Sequence, residues 1–218
     1  MIKMIFTVCF IFFSFSLVAQ EIDEDLLIIK KRMDSIAHFT ASLQLDLDVA
    51  FINMPTKYAT LSYDAGEQVT IDSDDFMMLP KRGLDFSFSE IFEYPFVTLN
   101  RGTKVTKGKK LKIVNVIPEE GTSNLALATL YLDTVSARIA ESKITTKKEG
   151  TYEMRFIYAD EKTILPAEVE VLFAVEKLKI PLNFMGGDTK IDRKKMREMD
   201  RKTGKITLKL TDYSVKSK

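Results

Sequence analysis

Leu43-Gln44-Leu45-Asp46-Leu47-Asp48-Val49-Ala50-Phe51 sets an apolar side chain at every second position. A period of two is that of a strand with one buried and one wet face. Just upstream the period is different. Ile22, Leu26, Ile29, Met33 and Ile36 fall at spacings of four, three, four and three, one apolar stripe along a helix. Glu21, Asp23, Glu24 and Asp25 lie at its start and Lys30, Lys31 and Arg32 near its end, the order that the helix dipole favours. An amphipathic helix therefore hands over to a sheet.

Strand patterns continue downstream. Met54-Pro55-Thr56 ends the first strand, 58–63 forms a second, Asp64-Ala65-Gly66-Glu67 turns the chain and 68–72 returns. Further strands are expected over 109–117, 125–133, 137–145, 152–159, 167–175 and 206–215, with a hairpin turn at Thr146-Lys147-Lys148-Glu149-Gly150. Short turns between successive strands imply antiparallel pairing, in a meander or an open barrel. Ser89 to Tyr94, before Pro95, reads as a short helix. The stretch 180–205 contains a Gly186-Gly187 break and a basic helical segment over 192–201. The chain shows no internal repeat and no linker, so 21–218 reads as one domain with a C-terminal extension from about 180.

The first twenty residues read as a secretory signal peptide: Lys3, an apolar run over 4–13, then Val18-Ala19-Gln20. Cleavage is expected near Ala19 or Gln20, since the run is shorter than the ~20 apolar residues of a membrane span. The alternative, a buried N-terminal helix, would have to pack Phe and Ile on every face. The one cysteine, Cys9, lies inside the apolar run and not at a lipidation position. The exported chain would then hold no disulfide and no lipid anchor, and would stand in an oxidising periplasm on its core alone. With Lys3 removed, acids and bases balance, which argues against nucleic acid as a partner.

Few residues suggest catalysis. His38 is the only histidine; it is read as an ordinary, partly exposed side chain rather than a member of a Ser-His-Asp triad. No thiol nucleophile, zinc ligand set or phosphate loop is present. Asp46 and Asp48 share the wet face of the first strand, about 6–7 Å apart, and are read as solvated. Asp72, Asp74 and Asp75 lack the Gly and distal Glu of a calcium loop. The chain is therefore expected not to be an enzyme and to need no cofactor or metal.

Two features remain. Met77, Met78, Leu79, Leu84, Phe86, Phe88, Ile91, Phe92 and Phe96 place apolar bulk in a connection, where polar residues are usual. The segment either plugs the core or is a lid over an apolar cavity. Basic residues form two runs: Arg101, Lys104, Lys107, Lys109, Lys110 and Lys112 crowd one expected hairpin, and Arg193, Lys194, Lys195, Arg197, Arg201 and Lys202 load the late helix. Each is either a solvated surface or a docking face for anionic headgroups or an acidic partner.

The helix, the Phe39-Thr40-Ala41 step into a long strand, the Pro55 break and two more strands resemble the periplasmic lipoprotein carrier family LolA and its relatives. So do Leu125-Ala126-Leu127-Ala128-Thr129-Leu130-Tyr131-Leu132-Asp133, the strand over 139–144, the turn to Gly150 and the strand over 151–158. The resemblance covers about 21–175. It implies an α+β fold: a curved antiparallel sheet forming an incomplete β-barrel, with helices closing the open side. It also implies a concave apolar cavity for lipid or lipoprotein acyl chains, and membrane-bound donor and acceptor partners. Leu43, Leu45, Leu47, Val49 and Phe51, with the apolar connection, are then the expected ligand contacts, and Arg101, Lys104, Lys107, Lys109 and Lys110 the docking face. The alternative is an envelope assembly module whose barrel is filled by its own side chains.

Overall fold

The computed structural model describes residues 22–67, 69–74, 92, 95–119, 124–148, 150–175 and 187–218. The helix α1 runs Glu24–Asp34, capped by the Asp23 side chain, which accepts from the Leu26 amide. It stops at Ser35, so Ile36, the last residue of the apolar stripe, opens the strand β1 (Ile36–Asp48) instead. Ile36 is buried in either setting, and the stripe alone does not separate them.

The remaining elements are β2 (Ile52–Asn53), β3 (Lys57–Asp64), β4 (Thr70–Asp72), β5 (Phe96–Thr106), β6 (Lys109–Pro118), β7 (Leu125–Asp133), β8 (Arg138–Thr146), β9 (Gly150–Ile157), β10 (Glu168–Val175), β11 (Lys190–Ile191), a short helix α2 (Arg193–Glu198) and β12 (Lys202–Ser217). Ten strands form one antiparallel sheet in the order β4-β3-β1-β12-β10-β9-β8-β7-β6-β5, and β11 pairs with β2 apart from it. The run from β5 to β10 is the expected meander. The chain after 180, expected as an extension, supplies β12, which lies between β1 and β10 and joins the N-terminal strands to the meander.

The sheet is curved and not closed, and α1 measures the curvature. β1 and β5 are seven steps apart in the order, about 34 Å on a flat sheet at about 4.8 Å per step. Yet the Asp23 amide donates to Thr98 Oγ1 on β5 at 2.9 Å, and Ile36 already belongs to β1. Helix rise and a short extended step span only about 23 Å between those residues. The sheet must therefore curl until β1 and β5 come within reach of one short helix. Its concave face carries the main core, including Leu43, Leu45, Leu61, Val114, Leu130 and Leu208 against Leu26 and Ile29 of α1. A second cluster, Val49, Phe51, Ile52, Phe173 and Val175, fills the end of the sheet near α2.

Gly204 of β12 crosses that second cluster at close range. A Cβ there would lie 2.4 Å from Val49 Cγ2 and 2.6 Å from Phe173 Cζ. Gly204→Ala should lower stability by about 1–3 kcal/mol through overpacking, read from the urea midpoint. Gly187→Ala, with nothing within 4 Å of its Cβ, should change it little.

Candidate functional site

α1 lies over the concave face and is pinned there mainly at its ends. At the N-terminal end, Lys112 of β6 donates to Asp23 Oδ1 at 3.0 Å and to Asp25 Oδ2 at 2.6 Å. Burial pulls the Lys112 ammonium down, but the two carboxylates outweigh it and leave its pKa raised. At the C-terminal end, the Arg32 guanidinium donates to the carbonyls of Ser136 and Ala137 in the β7–β8 turn, and to that of Lys162 at 2.5 Å. Between these anchors Leu26 and Ile29 are buried, while Leu27 and Ile28 face outward.

Beside the Arg32 end is an apolar recess of about 40 Å³, lined by Ile29, Met33, Ile139, Phe156, Ile164 and Leu165 among others. Its polar edge is a buried network. Asp133 accepts from the Ser136 amide at 3.1 Å, and its Oδ2 lies 3.5 Å from Arg138 Nε and 3.6 Å from Lys109 Nζ. Arg138 sits 4.2 Å over the Tyr158 ring and donates to the Asp160 carbonyl. The Tyr158 hydroxyl donates to the Ile139 carbonyl at 2.8 Å, and burial pushes its pKa up. Burial raises Asp133 as well, but the Ser136 amide and the charges of Lys109 and Arg138 outweigh it, so the carboxyl stays below its ordinary value near 3.8.

A second buried cation lies elsewhere on the concave face. Lys57, opposite Leu45, has a side chain 3% exposed and meets Asp188 Oδ1 at 2.5 Å. That bond lowers the Asp188 pKa.

Of the expected ligand contacts, Leu43 and Leu45 are buried in the main core, Val49 and Phe51 in the second cluster, and Leu47 is partly buried against it. Phe92 and Phe96 pack edge to face with centroids 5.5 Å apart, and Lys30 of α1 stands 5.4 Å over the Phe92 ring. Met77, Met78, Leu79, Leu84, Phe86, Phe88 and Ile91 lie outside the described residues.

The expected docking residues all fall on the β5–β6 hairpin. Arg101 lies at a register shift in β5, and Lys107 forms the turn with a positive φ beside Gly108. Lys104 faces the convex side, over Tyr131 and paired with Glu141 at 2.9 Å. Lys109 reaches Asp133, and Lys110 sits opposite Val105.

His38 and Asp46, set aside in the sequence as solvated, are on the convex side of β1, and Asp75 lies outside the described residues. His38 Nδ1 lies 2.8 Å from Asp64 Oδ1. Both oxygens of Asp46 accept, one from Thr56 and one from Gln44, and these bonds lower its pKa. Grooves of about 410 and 180 Å³ on that side are lined by cross-strand charges such as the Lys143–Glu153 pair. Among the described residues no group of three metal-ligating side chains occurs, and no helix is long and apolar enough to cross a membrane.

Arg32, Lys112, Arg138 and Lys57 were missed as site residues by sequence reasoning. Arg32 carried a signal only as a dipole partner at the helix end, and Lys112 only as one of a basic run. Nothing local marks Lys57 or Arg138 as buried.

No protein-family model matches the sequence, and no curated protein matches it significantly. Solved structures do resemble the fold. One is described as an outer membrane lipoprotein-sorting protein domain from Vibrio parahaemolyticus, 11% identical, covering 88% of this chain and 92% of its own, with a TM-score of 0.49. Another is a LolA superfamily protein from Nitrosomonas europaea, 7% identical over 88% of this chain and 94% of its own, at 0.48. A DUF1329 family protein from Desulfovibrio piger is 8% identical over 88% and 91%, at 0.49.

Asp133 gives this region a pH signature. A lowered folded-state pKa adds stability above the unfolded value near 3.8 and loses it as pH falls through the folded value. Asp133→Asn, which leaves Arg138 buried without its carboxylate, should destabilise by about 3 kcal/mol at pH 7. Urea midpoints at pH 7 and pH 3 should show that gap narrowing at the lower pH.

Proposed function

We propose that the protein is a periplasmic binding protein, not an enzyme, that takes an acyl chain of a lipid or lipoprotein between α1 and the concave face of the sheet. The observation that carries this reading is the apolar recess beside α1, bordered by Met33, Ile164 and Leu165, beneath a helix whose polar anchors lie at its two ends. At about 40 Å³ the recess is the closed state of the site; small-molecule ligands occupy about 300–1,000 Å³. Entry of a chain therefore requires α1 to swing away, with release of one polar anchor. Affinity then comes from burial, about 0.8 kcal/mol per CH₂, and no catalytic group is required. The apolar signal segment supports export, and membrane-bound donor and acceptor proteins are the partners that such a carrier would meet.

The second reading, an assembly module with a filled barrel, draws on the burial of Leu43, Leu45, Val49 and Phe51, each at most 5% exposed. Native mass spectrometry with added palmitate or phospholipid separates the two. Under the carrier reading the protein takes up ligand, Met33→Glu weakens uptake by about tenfold or more, and Arg32→Ala speeds exchange by freeing one end of α1. A protein that stays free of ligand in every variant is the filled module.

A further inference from the structure

The end of the sheet beside the recess has an unusual surface. Val135, in the β7–β8 turn, is 91% exposed, and Val105, near the β5–β6 turn, is 71% exposed. β6 pairs with β7, so the two turns are neighbours at one end of the sheet. Lys109 ties that end together, with Nζ 3.6 Å from Asp133 Oδ2 and 3.9 Å from Glu161 Oε1 in the loop after β9. Around the valines stand Lys107, Lys110 and Lys162, exposed and without an ion pair among the described residues. The nearby acids are mostly committed. Asp133 is buried with Arg138, and Asp160 accepts from the amides of Lys162 and Thr163. Asp160 and Glu161 are both exposed, and Glu161 faces Lys109.

We propose that this end of the molecule docks onto an anionic lipid bilayer, with Val105 and Val135 inserted at the headgroup level and Lys107, Lys110 and Lys162 on the lipid phosphates. Exposed branched apolar side chains in and beside turns, ringed by lysines, suit the bilayer interface, where burial and attraction to anionic headgroups add. An acidic protein partner would meet the lysines but would leave two bare valines without a reason. The docked orientation sets the recess near the bilayer, because Ala137 and Arg138 at the β7–β8 turn and Ile164 and Leu165 in the loop after β9, which line it, lie at the same end of the sheet. The proposal goes beyond the carrier reading and does not depend on it, since a filled module could dock in the same way.

The test is flotation of the protein, purified from the envelope and confirmed to lack 1–20, with vesicles of phosphatidylglycerol and phosphatidylethanolamine against vesicles of phosphatidylcholine. Binding to the anionic vesicles should be at least tenfold stronger and should weaken with salt. Val105→Asp with Val135→Asp should lower it at least tenfold. Lys107→Asn with Lys110→Gln should lower it about 25-fold, at about fivefold per lysine; Asn tolerates the positive φ at 107. The exposure of these positions leaves the fold intact, which circular dichroism checks. Lys194→Gln with Lys195→Gln, in the other basic run, should bind as the unaltered protein does. Failure to float with anionic vesicles at low salt, undiminished binding by the valine variant, or loss only in the α2 variant would overturn the proposal. Ligand uptake in the mass spectrometer bears on the carrier reading alone.

Discussion

A short helix that must touch β5 at one end and become β1 at the other fixes the shape of this protein. Asp23 against Thr98 and Ile36 in β1 are about 23 Å apart at most, less than a flat sheet of this strand order allows. α1 acts as a chord across the curl. The concave apolar face follows from it, as does the recess where the chord stands away from the sheet. The polar contacts of the helix are concentrated at its ends, Lys112 with Asp23 and Asp25 on one side and Arg32 with three turn carbonyls on the other. Its middle contributes Leu26 and Ile29 to the core. Polar anchors at the ends and the burial of Leu26 and Ile29 between them together hold α1 against the sheet.

The buried charges near the recess serve the same geometry. Arg138, Asp133 and the Ser136 amide fix the β7–β8 turn whose carbonyls receive Arg32. An isolated buried guanidinium would be costly; here a carboxylate, a carbonyl and an aromatic face surround it.

Much of the fold was legible in local pattern. The alternation over 43–47 gave β1 its buried face, though the strand ends at Asp48 and Val49 and Phe51 lie past it in the second cluster, and the strands over 109–117, 125–133 and 167–175 were found within a residue or two of β6, β7 and β10. The helix stripe led one turn too far, because Ile36 is buried at the start of a strand as it would be on a helix. β5 was expected only as one arm of the basic hairpin over 101–112, without bounds, because Asn100-Arg101-Gly102-Thr103 carries a bulge and charge instead of alternation, as an edge strand tends to do. The place of β12 between β1 and β10 was not legible either, because strand order is a long-range property that no local period encodes. For the site, the pattern identified the concave face but not the anchors. Arg32 and Lys112 acquire their roles only when residues 104 and 89 positions away in the chain arrive beside them.

β12 has a further consequence. It follows the other described strands in the chain and pairs with both β1 and β10, so a nascent chain carries two unfinished half-sheets until β12 is available. The edges of β1 and β10 stay open through synthesis, and pairings of this sequence separation form slowly. Full assembly is thereby deferred until β12 has been made. A chain clipped before residue 202 loses the seam between its halves rather than a dispensable tail.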